Sequence, residues 1–440
     1  RDPPLEAQDA IDPVIQRLRA DAGALKSGET LRILIYAHGG KVDHESALRD
    51  ARMMAPAMRN DGFSPVFMVW DSDMFVSYYN RLCCVRDGLY STEAAVTAIP
   101  SRAVGDIAAS VARAPQNFGG QALRFRDSVM RRHDPDYYLR VGEEYPTWEV
   151  DQARPRDPPA LCLGLKKQRC PTVIFPEYKS EAELNGRGGN GWPVSDGREF
   201  GYVTMWPVRT TATFVLPQVG ANAWDNMVRQ TRMAFQRGGV AALPTPGQSD
   251  CFTESDPKGE GGFAIFFDRL ACEIEVIETT DADGEVVRTG RFRLGDGRSV
   301  PVELHYYGHS MGALVGNEVL AAQPNLPWKK VVYMAGASTL RDFRLAAAPA
   351  LQRHGIPFYN LTLHPLNESR ELFAGGVLPQ GSLLEWIDEM FEGPRSPDER
   401  MMGKWNNFRD TVRLVTPAWR EKVTVRVFSK GRTPGQECGA

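Results

Sequence analysis

The serine in the stretch GHSMG, residues 308–312, is the leading candidate for a catalytic group in this sequence. A Gly-x-Ser-x-Gly turn between a strand and a helix holds its serine in a strained backbone conformation that only small neighbours tolerate. The hydroxyl then stands above the sheet edge, and the helix N-terminus offers a backbone N–H to a developing oxyanion. We therefore predict Ser310 as a nucleophile, Gly308 and Gly312 as the residues that give it room, and Met311 as an N–H donor.

The stretch AHGG, residues 37–40, is the candidate for the second half of an oxyanion site. A tetrahedral intermediate needs at least two N–H donors, and glycine-rich backbone after an early strand can supply one of them. We predict that Gly39 or Gly40 is this donor and that His38 orients or packs the loop; the alternative is an ordinary strand-to-helix turn. His309 is expected to shape an acyl pocket and not to act as a base, because adjacent side chains at the turn point apart.

The elements that must position these residues alternate between strands and helices. Near-continuous apolar runs, typical of strands buried on both faces of a parallel sheet, occur at 31–40, 64–71, 302–307, 329–336, 356–363 and 421–431. Helical spacing of apolar residues occurs at 44–62, 102–114, 221–235, 311–322, 341–353 and 382–391. This order predicts an α/β fold with a mostly parallel central sheet and helices on both faces.

The rhythm of strands and helices predicts one fold with a long insertion. Residues 1–30 read as an N-terminal leader with a short amphipathic pattern, and residues 31–75 and 301–440 read as the α/β core. Residues 76–300 are interrupted by stretches rich in proline, glycine and aspartate and are expected to form a cap or lid. A β-hairpin near 272–294 is expected within this cap.

Composition excludes several function classes. Lys plus Arg total 52 against 55 Asp plus Glu, without long runs of one sign, so no nucleic-acid or anionic-membrane partner is expected. No apolar window approaches the ~20 residues of a transmembrane helix. The seven cysteines lack a CxxC pair and are expected to be free thiols. The chain begins without Met or an apolar signal core, so it reads as a processed or cut piece of a soluble protein, with the cytoplasm slightly favoured.

The strand, the HGG loop, the GHSMG turn and the later βα units resemble the α/β-hydrolase superfamily, in particular bacterial serine esterases and lipases of the GHSMG type. The resemblance covers residues 31–75 and 302–430 and implies the α/β-hydrolase fold, a Ser-His-acid mechanism and no metal or organic cofactor. It fixes no substrate. The family order of nucleophile, acid and histidine makes Asp342 or Glu368 the expected acid, although each could be an ordinary carboxylate at a helix start.

The histidine base of the expected Ser-His-acid triad has no residue at its usual place in the family order, because none of the seven histidines follows Glu368. Three alternatives remain. The natural chain continues past Ala440 and carries the histidine there; or His364, at the end of a predicted strand, is the base with Asp342 as its partner; or the triad is incomplete and the protein is a hydrolase-shaped binder or scaffold.

The expected activity is hydrolysis of a carboxylic ester with a lipid-like or hydrophobic acyl group, through an acyl-enzyme on Ser310. Acyl transfer or amide hydrolysis could use the same serine. The region 76–300 is expected to cover the site, because insertions at strand ends lie over the catalytic edge of such a sheet.

Overall fold

The structure is a computed structural model that describes residues 7–40, 42–70, 72–83, 85–86, 89–90, 99–115, 207–236, 261–280, 286–363, 368, 382–394, 399–404, 407–408 and 422–428. The chain divides into two compact units. The first unit comprises Arg1–Ser72, Val228–Tyr359 and Val415–Val423, and the second comprises Asp73–Met227, Asn360–Leu414 and Thr424–Ala440.

The described strands are β1 Leu31–Ala37, β2 Ser64–Met68, β3 Val85–Arg86, β4 Leu89–Tyr90, β5 Ile274–Thr280, β6 Val286–Arg293, β7 Ser299–His309, β8 Trp328–Met334, β9 Phe358–Leu363 and β10 Val423–Phe428. The described helices are α1 Ala7–Gly23, α2 His44–Asn60, α3 Met74–Cys83, α4 99–115, α5 Pro207–Met233, α6 Gly262–Glu273, α7 Gly312–Ala322, α8 340–353 and α9 383–391. Helices α8 and α9 each contain a π-helical stretch, Phe343–Ala347 and Ile387–Phe391.

The central sheet has the strand order β10-β9-β8-β7-β1-β2. The pairs β1–β2, β1–β7 and β7–β8 are all parallel. A mostly parallel sheet with helices confirms the predicted α/β class. Strand β1 is buried along nearly its whole length, as its continuous apolar sequence predicts for an inner strand.

The hairpin formed by β5 and β6 extends this sheet. Strand β6 pairs with β5 and also, antiparallel, with the beginning of β7, where Gly290 faces Val302. The hairpin predicted near 272–294 is thus part of the central sheet and of the first unit. The same pairing explains why β7 begins at Ser299, earlier than the apolar run alone predicts.

Aromatic side chains of neighbouring strands pack together in the core of the first unit. Tyr333 lies at its centre, with ring centroids 6.1 Å from Tyr306 and 5.2 Å from Phe358. Helix α1, predicted as a leader, packs through its buried apolar residues Ile11, Ile15, Leu18 and Ala22. A charge-assisted pair then ties α1 to α6, since Arg19 donates to the buried Glu273 carboxylate at 2.6 Å.

The second unit contains helices that the sequence pattern only partly predicts. Helix α5, whose residues up to Met227 belong to this unit, begins at Pro207, fourteen residues before the predicted start at 221, and continues through Pro217. Close packing holds this early part, because a β-carbon added to Gly220 would lie only 2.0 Å from Phe391 Cε1. In the same unit, Asp106 of α4 accepts hydrogen bonds from Tyr78 of α3 and Asn222 of α5.

Cys272 is disulfide-bonded, which corrects the expectation of free thiols for this residue. An odd cysteine count without a CxxC pair carries no information on which cysteines approach each other in the fold.

None of the helices that the structure describes combines the length and the apolar character needed to cross a bilayer.

Candidate functional site

Ser310 stands at the turn between β7 and α7 with a φ of 51°. A serine in this left-handed region is strained by about 1–2 kcal/mol, so other contacts must hold it there. Its N–H donates to Met334 O at 2.8 Å, and its carbonyl accepts from Ala337 N–H at 2.8 Å and from Ala313 N–H at 3.0 Å. The bonds with Met334 and Ala337 tie the turn to the end of β8 and to the loop that follows it, where Ala335 also has a positive φ of 47°.

The two glycines of the turn sit where no side chain fits. A β-carbon on Gly308 would lie 2.6 Å from Gly312 O, and one on Gly312 would lie 2.3 Å from Ala37 O. Ala37 is the last residue of β1. The absence of side chains thus lets the turn after β7 approach the end of β1 backbone to backbone.

The HGG loop begins directly after Ala37 and reaches Ser310. A β-carbon added to Gly39 would lie 3.0 Å from Ser310 Cβ and 2.8 Å from His309 Nδ1. Gly39, His309 and Ser310 therefore meet, which brings together residues more than 260 positions apart in the sequence. His309 is an exposed residue at this edge.

His38 braces this loop from behind. The Trp70 N–H donates to His38 Nε2 at 3.2 Å, so Nδ1 carries the proton and donates to Gly39 O at 2.7 Å. The indole of Trp70 also stacks on the imidazole, with 4.0 Å between ring centroids. Burial lowers the pKa of His38, which favours this neutral tautomer. Both ring nitrogens are occupied within the protein, so His38 is not poised to take a proton from Ser310.

The position of this cluster follows from the strand order. The chain leaves β1 toward β2 on one side, and β7, β8, β9 and β10 continue on the other. The order therefore reverses between β1 and β7, and in open α/β sheets ligands bind outside the carboxyl ends of the strands at such a point. Gly39 follows β1 and Ser310 follows β7, so both lie at this switch point.

Met311 lies at the N-cap of α7 and is fully buried. The first backbone N–H groups of a helix have no acceptor within the helix, and the helix dipole makes this end favourable for negative charge. The Met311 N–H is therefore suited to hold an oxyanion formed at Ser310.

Asp342 lies in the first turn of α8, where its N–H donates to Thr339 Oγ1 at 3.0 Å. Its carboxylate pairs with Arg232 of α5 at 3.4 Å, and the same arginine pairs with Glu318 of α7 at 3.4 Å. Burial, together with the nearby Asp342, raises the pKa of Glu318. Among these described contacts, the charged partner of Asp342 is an arginine.

Glu368 belongs to the second unit and is buried. Its carboxylate accepts a hydrogen bond from the Ser382 hydroxyl, and its carbonyl accepts from Ser382 N–H at 2.8 Å. Ser382 also caps α9 by accepting from Glu385 N–H. His364 lies outside the described residues.

His305 on β7 is a second unusual histidine of the first unit. It is only 5% exposed, and neither ring nitrogen has a hydrogen-bond partner among the residues that the structure describes. Glu303 lies 3.6 Å from Nε2, beyond a good hydrogen bond, and Phe63 packs edge-on against the ring. Burial, with Glu303 opposing it, lowers the pKa of His305 to about 4.

We expect His305 to make the stability of the protein depend on pH. Because its folded pKa lies below the ordinary value of about 6.5, the unfolded chain binds the proton more readily, and stability falls as pH drops from about 6.5 to 4. Over this window the unfolding free energy of the wild type should fall, and that of the variant His305→Leu should fall by about 2–3 kcal/mol less. Urea unfolding at pH 7 and pH 4.5 measures the difference; the exposed His44→Leu serves as control. Equal pH dependence in the wild type and His305→Leu would contradict this assignment.

Comparisons with known proteins add no relative: no protein-family model matches the sequence, and no curated protein or solved structure matches it. In the part of the chain that the structure describes, no group of three or more His, Cys, Asp or Glu side chains could hold a metal ion.

Sequence reasoning missed two neighbours of the HGG loop. Trp70 stacks on His38, and the hydroxyl of the fully buried Ser72 lies 3.0 Å from Gly39 O. Both residues follow β2, the strand next to β1. The signal was present in the sequence, because residues that follow neighbouring parallel strands meet at the same edge of a sheet.

Proposed function

We propose that this chain is a serine hydrolase of the α/β-hydrolase fold that cleaves a carboxylic ester with a lipid-like or hydrophobic acyl group. One observation carries the proposal: a strained serine at a strand-to-helix turn lies against a glycine-rich loop at the switch point of a parallel sheet. Backbone strain at a non-glycine residue persists only where surrounding contacts maintain it, and it concentrates at functional sites.

The strand order supports the proposed fold. The nucleophile turn follows β7 and the oxyanion loop follows β1, and these two strands are adjacent and parallel. A nucleophile elbow needs this adjacency, because the N–H after the serine and an N–H from the earlier loop must reach the same oxygen. The serine hydroxyl and both donors would then surround the carbonyl carbon of a bound ester.

The proposed reaction proceeds in two balanced steps. Ser310 Oγ bonds to the ester carbonyl carbon, the bond from this carbon to the alcohol oxygen breaks, and the proton taken from Ser310 leaves with the alcohol. Water then bonds to the acyl carbon, the Oγ–acyl bond breaks, and the acid departs while Ser310 regains a proton. The N–H groups of Met311 and of Gly39 or Gly40 hold the oxyanion in both steps.

We propose His364 as the base, with Asp342 or Glu368 as the acid that orients it. His364 follows Leu363, the last residue of β9, a strand of the same sheet as β7. The two acids differ in their surroundings, because Asp342 is paired with Arg232 and Glu368 accepts from Ser382. Separate substitution of each acid, read as the loss of kcat, identifies the one that serves the base.

Labelling of the full chain with a fluorophosphonate tests the proposal directly. This reagent phosphonylates a serine only where a base and an oxyanion site activate it, so we expect one adduct, located at Ser310 by peptide mass mapping. Ser64→Ala, a buried serine at the start of β2, should label like the wild type. Ser310→Ala should not label, and His364→Ala should label far more slowly.

The alternatives give different results in the same assay. An unlabelled chain would remove His364 as the base; labelling of a C-terminally extended chain would then favour a histidine beyond Ala440, and its absence would favour a binding or scaffold role for the fold. Labelling that survives His364→Ala would keep the nucleophile but remove His364 as its base. Turnover of p-nitrophenyl esters from acetate to decanoate then tests the acyl preference, for which we expect kcat/KM to rise with chain length.

A further inference from the structure

The carbonyl of Gly39 in the HGG loop is held by two side-chain donors. It accepts from His38 Nδ1 at 2.7 Å and from Ser72 Oγ at 3.0 Å. Ser72 is fully buried, and its hydroxyl also lies 3.3 Å from Val42 O. The donors thus come from two directions, one from the loop itself and one from the segment that follows β2.

Fixing this carbonyl also fixes the next N–H. The peptide bond is planar and trans, so the N–H of Gly40 points opposite to the C=O of Gly39. Because the carbonyl faces His38 and Ser72, the Gly40 N–H faces away from them. Glycine has no side chain that would restrict this peptide plane, and without the two donors the plane could rotate.

We infer that Ser72 is a positioning residue of the proposed oxyanion site, and that its hydroxyl acts with His38 to aim the Gly40 N–H at the oxyanion. This inference rests on the proposed function of Ser310. It also selects Gly40 over Gly39 as the donor, a choice that the sequence leaves open. Ser72 itself touches no reacting atom and acts only through the Gly39–Gly40 peptide.

The chemistry explains why a hydroxyl is placed here. Loss of the Ser72 hydroxyl would leave the Gly39 carbonyl with one of its two side-chain donors, so the Gly39–Gly40 peptide plane would be held less firmly. An oxyanion donor must already be oriented when the charge develops, since this preorganisation is the source of its effect. A loop free to reorient would bind the ground-state ester nearly as well but would stabilise the transition state less.

The test compares Ser72→Ala with the wild type on a p-nitrophenyl ester. We expect kcat to fall about 10-fold, less than the ~10²-fold effect of losing an oxyanion donor outright, while KM changes less than 2-fold. The affinity for an alkyl trifluoromethyl ketone, which forms a tetrahedral adduct with the serine, should fall by the same factor as kcat/KM. Ser64→Ala, at the opposite end of β2, is the matched control and should change neither value.

Two further variants keep the test decisive. Ser72→Cys retains a weak donor of similar shape and should recover part of the lost kcat. If Ser72→Ala fails to fold, the kcat of Ser72→Cys tests the role of the hydroxyl in its place. Unchanged kcat and ketone affinity in a folded Ser72→Ala would overturn the inference and leave the proposed hydrolase intact. An inactive wild type that does not label with fluorophosphonate would overturn the proposed function itself, and the role of Ser72 with it.

Discussion

Replacement of Ser310 by alanine is expected to lower kcat for ester hydrolysis by about 10³-fold or more, with the remaining rate due to the oxyanion site alone. The hydroxyl is the atom that attacks the carbonyl carbon, and no neighbouring group in the turn can replace it. Initial rates with p-nitrophenyl butyrate measure the loss. Activity of Ser310→Ala within 10-fold of the wild type would show that this serine is not the nucleophile.

The strain at Ser310 supplies an independent control. With a φ of 51°, the residue occupies a backbone region that glycine adopts freely and that serine and alanine do not. Ser310→Gly should therefore unfold with a free energy about 1 kcal/mol higher than Ser310→Ala, while both variants stay inactive. A more stable but inactive protein is the expected signature of strain maintained for function. A less stable Ser310→Gly would contradict it.

Introduction of a side chain at Gly39 is expected to reduce kcat by about 10²-fold or more. A β-carbon at this position would lie 2.8 Å from His309 Nδ1 and 3.0 Å from Ser310 Cβ, closer than side chains normally approach. The loop must then move away from Ser310, and the oxyanion donor moves with it. Steady-state kinetics of Gly39→Ala should show the loss mainly in kcat.

Gly23→Ala provides the matched control for this substitution. Gly23 ends α1, has no heavy atom within 4 Å of an added β-carbon, and should tolerate alanine without loss of activity. Thermal unfolding of both variants separates a local displacement from general destabilisation. Wild-type kcat in a folded Gly39→Ala would show that the loop does not contribute to the oxyanion site.

The turn and the loop were predictable because their chemistry is local. Glycines on both sides of a serine, after an apolar run and before a helical pattern, indicate a strained turn whatever surrounds it. The same holds for the glycines after β1. Their mutual approach depends on the pairing of β1 with β7, which the sequence predicts only as membership of one parallel sheet.

The hairpin shows where local patterns fail. Its two strands were predictable from alternation and turn residues, but their partner was not. Strand β6 pairs with the start of β7, and at this junction Gly290 lies against Pro327, 37 positions further along the chain, where an added β-carbon would lie 2.5 Å from Pro327 Cγ. A hairpin that could equally form a cap was thereby assigned to the central sheet.

By itself, the sequence determined the α/β class, most of the strands and helices, and the candidate nucleophile, because apolar periodicity and glycine placement act over a few residues. Only the tertiary structure decided that Gly39 touches Ser310, that His38 and Ser72 share the Gly39 carbonyl, and that Arg232 pairs with both Asp342 and Glu318. These contacts join segments far apart in the chain. Their geometry follows from strand order and backbone packing, which no local pattern encodes.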